Sequence, residues 1–127
     1  MESDASHRVG RRVETLERYW AIYDADAADV PSIVSRCFTP DGRFESAALP
    51  APLVGHAAIV ERVRSIRDVV RQSTVTHDGP VQWCHDTARW CWSWTGPNGD
   101  MAGTDVVRFA DDDRIQLLVV FAGHVPQ

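Results

Sequence analysis

From His7 to Asp24, Val13, Leu16, Tyr19, Trp20 and Tyr23 recur at three- and four-residue steps. That is the period of a helix with one apolar face. Asp26-Ala-Ala-Asp29 reads as a link, after which Asp29 can cap a short second helix that has Pro31 in its first turn, where a missing N–H costs nothing. Ile33, Val34, Cys37 and Phe38 give that helix a buried side. Thr39-Pro40-Asp41-Gly42 has the chemistry of a turn, Arg43–Ser46 reads as a short strand, and Ala47–Val54, with two prolines, as a loop. Gly55 and His56 open a third helix, whose apolar face is Ile59, Val60, Val63, Ile66, Val69 and Val70.

After Gln72 the period changes to alternation. Strands are predicted at about Ser73–Trp83, Ala88–Thr95, Asp100–Ala110 and Arg114–Gly123, broken at His85–Thr87, Gly96–Gly99 and Asp111–Asp113. Such short breaks imply an antiparallel meander. Helices followed by strands define an α+β class: one domain over residues 1–127, a curved antiparallel sheet packed against three N-terminal helices, a cone-shaped α+β barrel.

Composition narrows the functions this fold could serve. Five Trp, four Phe and two Tyr in 127 residues are enough to fill a core or line a cavity. A formal charge of -5 argues against a nucleic-acid partner, which would need a basic stripe along the phosphates. The arginines cluster as Arg8, Arg11, Arg12 and as Arg62, Arg64, Arg67, Arg71, among acids at helical spacing, and read as solvated helix faces. No segment approaches the ~18 apolar residues of a membrane span, and the first residues lack a secretory apolar run. A cytoplasmic protein without a membrane partner is expected. Cys37, Cys84 and Cys91 show no CxxC pair, so three buried thiols are expected.

The candidate chemistry lies on the strands and the first helix. Trp90, Trp92 and Trp94 alternate with Arg89, Cys91 and Ser93, which puts three indoles on one face. Asp105 shares the apolar face of its strand with Val107 and Phe109, while Thr104 and Arg108 take the other. A carboxyl on that side sits at a wet rim or is buried with a raised pKa, and in the second case it can donate a hydrogen bond to an oxyanion. His77 could act as a base if Asp24 fixed its tautomer. His56 and His124 read as a helix start and a chain end. No phosphate loop, nucleophile elbow or HExxH motif occurs. His77, Asp24 and Asp105 match no particular metal's spacing, so neither metal nor cofactor is expected.

Three fragments carry a resemblance over nearly the whole chain: Ile33-Val34…Phe38-Thr-Pro-Asp41-Gly-Arg-Phe44, Gly55-His-Ala-Ala-Ile59, and Asp105-Val-Val-Arg-Phe109…Asp113-Arg-Ile115. In these and in element order the chain resembles the nuclear transport factor 2-like superfamily, which includes ketosteroid isomerases, SnoaL-like cyclases and scytalone dehydratase. The resemblance implies an apolar pocket walled by Trp20, Phe38, Trp90, Trp92, Val107, Phe109 and Phe121. It places Asp105 on the protonated oxyanion-hole Asp of ketosteroid isomerases and Tyr19 on their oxyanion Tyr. Ser46 stands where they carry the proton-shuttling Asp, and Glu45 points to the opposite face. Tyr23-Asp24 and Thr76-His77 resemble the Tyr-Asp and Gln-His pairs of scytalone dehydratase. Gly103 stands where limonene epoxide hydrolases need an Arg. A homodimer paired through the outer sheet face is implied by the resemblance. The expected function is acid–base catalysis on a small hydrophobic carbonyl compound, a lyase or isomerase reaction, and the alternative is a ligand-binding or dimerisation protein without turnover.

Overall fold

A computed structural model describes residues 2–97 and 99–123, so His124 lies outside the described residues. It contains three α-helices, α1 (Glu2–Ala21), α2 (Val30–Cys37) and α3 (His56–Val70). Six strands accompany them: β1 (Phe38–Ser46), β2 (Leu53–Val54), β3 (Thr74–Cys84), β4 (Thr87–Gly96), β5 (Gly99–Phe109) and β6 (Ile115–Ala122). They form one curved, unclosed sheet in the order β2-β1-β6-β5-β4-β3. Strands β3 to β6 are the expected meander. The sheet is mixed rather than antiparallel throughout, because β1 lies parallel to β6, with Phe44 opposite Leu118.

Two local expectations are corrected. Thr39–Gly42 is not a free turn but part of β1, where the register against β6 shifts between Phe38 and Arg43. A bulge tolerates Pro40, whose missing N–H would break a regular ladder. Asp29 does not cap α2 with its side chain: a 3-10 turn, Ala27–Asp29, runs straight into the helix, and Pro31 sits in its first turn as anticipated.

The core lies between the helices and the concave face of the sheet. Leu16, Ile22, Val34, Phe38, Phe44, Ile59, Val63, Val107, Ile115 and Leu118 are at most 1% exposed. Each such side chain contributes about 1.5–3 kcal/mol by leaving water. Of the cysteines only Cys37 is buried; Cys84 and Cys91 are exposed, because they fall on the outer alternation of β3 and β4. No helix among the described residues is long and apolar enough to cross a membrane.

Arg12 is not on a solvated face. It lies on the buried stripe of α1 with Thr15, Leu16 and Tyr19, and is 3% exposed. Its guanidinium donates to Asp113 at 2.9 Å and Asp86 at 3.0 Å, and stands 5.1 Å from the Phe109 ring centroid. Arg11 donates to the other Asp113 oxygen at 2.6 Å. Thr15 donates to the Asp113 carbonyl at 2.9 Å. Asp113 is in the left-handed region (φ 67), which aims its carboxylate back at α1. This cluster ties α1 to the β5–β6 turn.

Candidate functional site

The opposite end holds the polar groups singled out from the sequence. Tyr19 and Tyr23 are one helical turn apart. Although α1 ends at Ala21, the bonds Ile22 N–H to Tyr19 O and Tyr23 N–H to Trp20 O carry the helical path on. Their rings meet edge to face at 5.7 Å, and their hydroxyls share a hydrogen bond of 2.8 Å. Tyr19 is buried and also packs on Phe38, ring centroids 5.8 Å apart.

Asp105 enters from β5. Strand alternation puts it inward with Val107 and Phe109, as anticipated, and it is 7% exposed. One oxygen accepts from the Trp92 indole N–H at 2.8 Å. No other hydrogen bond to the carboxyl occurs among the described residues. Burial therefore dominates and pushes Asp105 up to about 7, against the smaller opposing effect of the Trp92 bond. Burial also raises both tyrosines, and the nearby charge of Asp105 adds to the rise in each. At neutral pH the cluster consists of two neutral phenols and a carboxyl poised between its two forms.

Trp92 reaches Asp105 because Gly103, opposite it on β5, has no side chain. A Cβ there would lie 2.5 Å from Trp92 Cζ2 and would also strike the Phe121 carbonyl. An arginine at position 103, the epoxide-hydrolase pattern, cannot be accommodated in this packing.

His77 is opposite Trp92 on β3 and shares its face. The ring is exposed on one side and covered on the other by Trp20, with centroids 4.2 Å apart. Burial lowers its pKa, with Asp78 pulling the other way, so the neutral, proton-accepting form prevails at pH 7. Asp24 does not orient it. Asp24 is exposed at the end of α1, and among the described residues no hydrogen bond or ion pair joins it to His77. Two strand spacings across and two residues along separate His77 from Asp105, on the order of 12 Å between Cα atoms.

The wall residues divide. Trp90 and Trp92 are buried on the concave face, Trp90 edge-to-face with Trp20 at 5.4 Å and Trp92 tilted on Trp94 at 5.2 Å. Phe38, Val107 and Phe109 are buried in the core; Phe109 stacks on Trp83 near the Arg12 cluster, away from the tyrosines. Phe121 is no wall residue. Paired with Thr104 on the outer alternation of β6, it is 53% exposed. The concave face is filled by indoles rather than left as an open apolar hollow. A surface cavity of about 340 Å³ is lined by Tyr23, Ala27, Arg64, Arg67, Asp68 and Arg71. Another, of about 290 Å³, lies at the far end around Asp41, Asp86 and Asp111.

Two groups were not singled out from the sequence. The Nε of Arg62 and the indole N–H of Trp20 are buried without a hydrogen-bond partner. The charge of Arg62 is felt at Tyr23, which it draws down against the larger effect of burial. Arg62 stands three residues after Ile59 and four before Ile66, at the edge of the apolar stripe of α3, and that position was the readable signal. Among the described residues no group of His, Cys, Asp and Glu could hold a metal ion.

No family model matches the sequence, and no curated protein matches it. Solved structures do. A protein from Agrobacterium tumefaciens assigned to the SnoaL-like family as a candidate isomerase is 19% identical, with a TM-score of 0.76 over 91% of this chain and 99% of that one. A steroid delta-isomerase from Pseudomonas aeruginosa is 20% identical, with a TM-score of 0.68 over 91% and 81%. The epoxide hydrolase/cyclase-like enzyme SalBIII, of salinomycin pyran ring formation, is 21% identical, with a TM-score of 0.69 over 90% and 92%. At these identities the likeness speaks for the architecture alone, and it agrees with the helix order and the mixed curved sheet: this chain has the nuclear transport factor 2-like fold.

Proposed function

We propose that the protein is a cofactor-free acid–base enzyme that isomerises, dehydrates or cyclises a small, largely apolar carbonyl compound. The observation that carries this reading is Asp105, buried and raised to about 7 with one indole bond, next to the bonded hydroxyls of Tyr19 and Tyr23. In its protonated form Asp105 and the tyrosine pair donate toward an oxygen that gains charge as an enolate forms. Such donors contribute roughly 10²–10³ each in rate. His77, neutral and accessible at the edge strand, is the group that takes or returns the proton, worth roughly 10²–10⁴. Solved structures of the same fold include a steroid isomerase and a cyclase-like enzyme, which supports the reaction class. Ser46 stands where ketosteroid isomerases carry their shuttling carboxylate, so their proton route is not proposed.

A substrate reaches Asp105 only if an indole moves. Trp20 is the candidate, because its buried N–H has no partner where it now lies. An unsatisfied buried donor costs about 1–3 kcal/mol, which lowers the cost of swinging it out.

Solvent-deuterium exchange at the α-carbon of β-tetralone, followed by NMR, tests the proposal without knowledge of the natural substrate. Exchange should be accelerated by the protein and fall about 10²–10³-fold in Asp105→Asn. Binding of the ketone with no acceleration would replace this reading by that of a receptor, a role that the indole-filled concave face also fits.

A further inference from the structure

The cleft between the end of α1 and the last turns of α3 has a composition that acid–base chemistry on a neutral ketone does not explain. Arg64, Arg67 and Arg71 line it along one helical stripe, and Asp68 is the single acid among its six lining residues. Arg67 is held in place by donating from Nη1 to the Ile22 carbonyl, leaving its other N–H groups unassigned. Among the described residues none of Arg62, Arg64, Arg67 and Arg71 forms an ion pair, which is also true of Arg18, Arg36, Arg89 and Arg108; what sets the cleft apart is that three such arginines line one concave site. Beside the cleft, the buried Nε of Arg62 also lacks an acceptor. Helix polarity favours cations at the C-terminal end, which accounts for Arg67 and Arg71 but falls off before Arg64. In a chain of net charge -5, a concave site with three unpaired guanidinium groups and one carboxylate is a local reversal of sign.

The other walls are the Tyr23 ring and the Ala27 methyl. A guanidinium fork matches a carboxylate bidentately, and an aromatic face stacks on a flat body. We propose that this cleft of about 340 Å³ binds a carboxylate carried on a flat apolar body, with Arg64 and Arg71 as the carboxylate ligands and the Tyr23 ring as the platform. The site is defined by binding alone, so it goes beyond the catalytic reading and stands independently of turnover.

The test is calorimetric titration of the whole chain with β-naphthoate, with neutral β-naphthaldehyde and with inorganic phosphate, repeated on the double variant Arg64→Gln/Arg71→Gln. Both arginines are exposed, so the substitutions leave the core untouched, and a thermal melt verifies this. Naphthoate is expected to bind at least about tenfold tighter than the aldehyde, to weaken with added salt, and to lose its advantage in the double variant while aldehyde affinity stays unchanged. Equal affinity for acid and aldehyde in the wild type overturns the proposal, as does an unchanged naphthoate affinity in the double variant. Phosphate binding as tightly as naphthoate overturns the aromatic platform. Deuterium exchange on β-tetralone in the same double variant keeps the two proposals separate, since it should remain at the wild-type rate.

Discussion

Asp113 in the Arg11–Arg12 cluster and Asp105 near the tyrosines are almost equally shielded from solvent contact, 6% and 7% exposed, yet their carboxyls are driven in opposite directions. Burial pushes both upward. At Asp113 the hydrogen bonds and charges of Arg11 and Arg12 outweigh it and hold the carboxyl below its ordinary range. At Asp105 the only hydrogen-bond donor among the described residues is a neutral indole, and burial wins. Asp105 is also enclosed by far more protein than Asp113, so depth and partners together decide how each acid ionises. One end of the cone is a satisfied ion cluster that closes the structure. The other is kept short of hydrogen-bond donors and of counter-charge, the condition a reactive site needs.

The contrast can be broken hardest at the paired end. Asp113→Ala leaves Arg12 buried beside a single remaining carboxylate, Asp86, and should cost about 3–5 kcal/mol in urea unfolding. The effect should be largest near neutral pH. Because the folded pKa of Asp113 is depressed, its contribution is present above the ordinary carboxylate range and is lost as the pH falls through and below it.

Asp105 has the opposite sign. Its folded pKa, about 7, exceeds the unfolded value, so the native state binds the extra proton and wild-type stability declines as pH rises from about 4 to about 7. The decline attributable to this group is at most about 4 kcal/mol. Asp105→Asn should flatten that limb, because an amide accepts the Trp92 bond without titrating. Parallel unfolding curves for wild type and variant across that window would reject the assignment. Next in size is Gly103→Ala, which should cost about 1–3 kcal/mol by overpacking against Trp92. It should also raise the Asp105 pKa further as the indole bond is lost, observable by carbon-13 NMR titration of the carboxyl. The smallest change is Tyr23→Phe, about 0.5–1.5 kcal/mol for one hydrogen bond. It should lower exchange on β-tetralone more than it lowers stability, and the reverse would remove Tyr23 from the catalytic proposal.

The sequence period was a good guide wherever it was local. Alternation in β4 and β5 put Trp90, Trp92, Asp105 and Val107 on one face, where they are found. The helical stripe brought Tyr19 and Tyr23 together. Failures came where a partner lies far along the chain. Arg12 read as solvated because its acceptors, Asp86 and Asp113, are 74 and 101 residues away. The warning was present in its position, four residues before Leu16 on the stripe that proved to be buried. His77 and Asp24 could not be placed relative to each other by period alone, and the occupancy of the concave face by indoles depends on side-chain rotamers that no pattern encodes.

The parallel pairing of β1 with β6 also orders events in time. Residues 43–46 cannot gain their lateral hydrogen bonds until residues 117–120 exist beside them. The β3–β4–β5 meander needs only neighbours, so it can assemble early, while β1 waits as an unzipped edge until the last strand slots between it and β5. During synthesis the two halves of the sheet stay unjoined until residues 117–120 have left the ribosome.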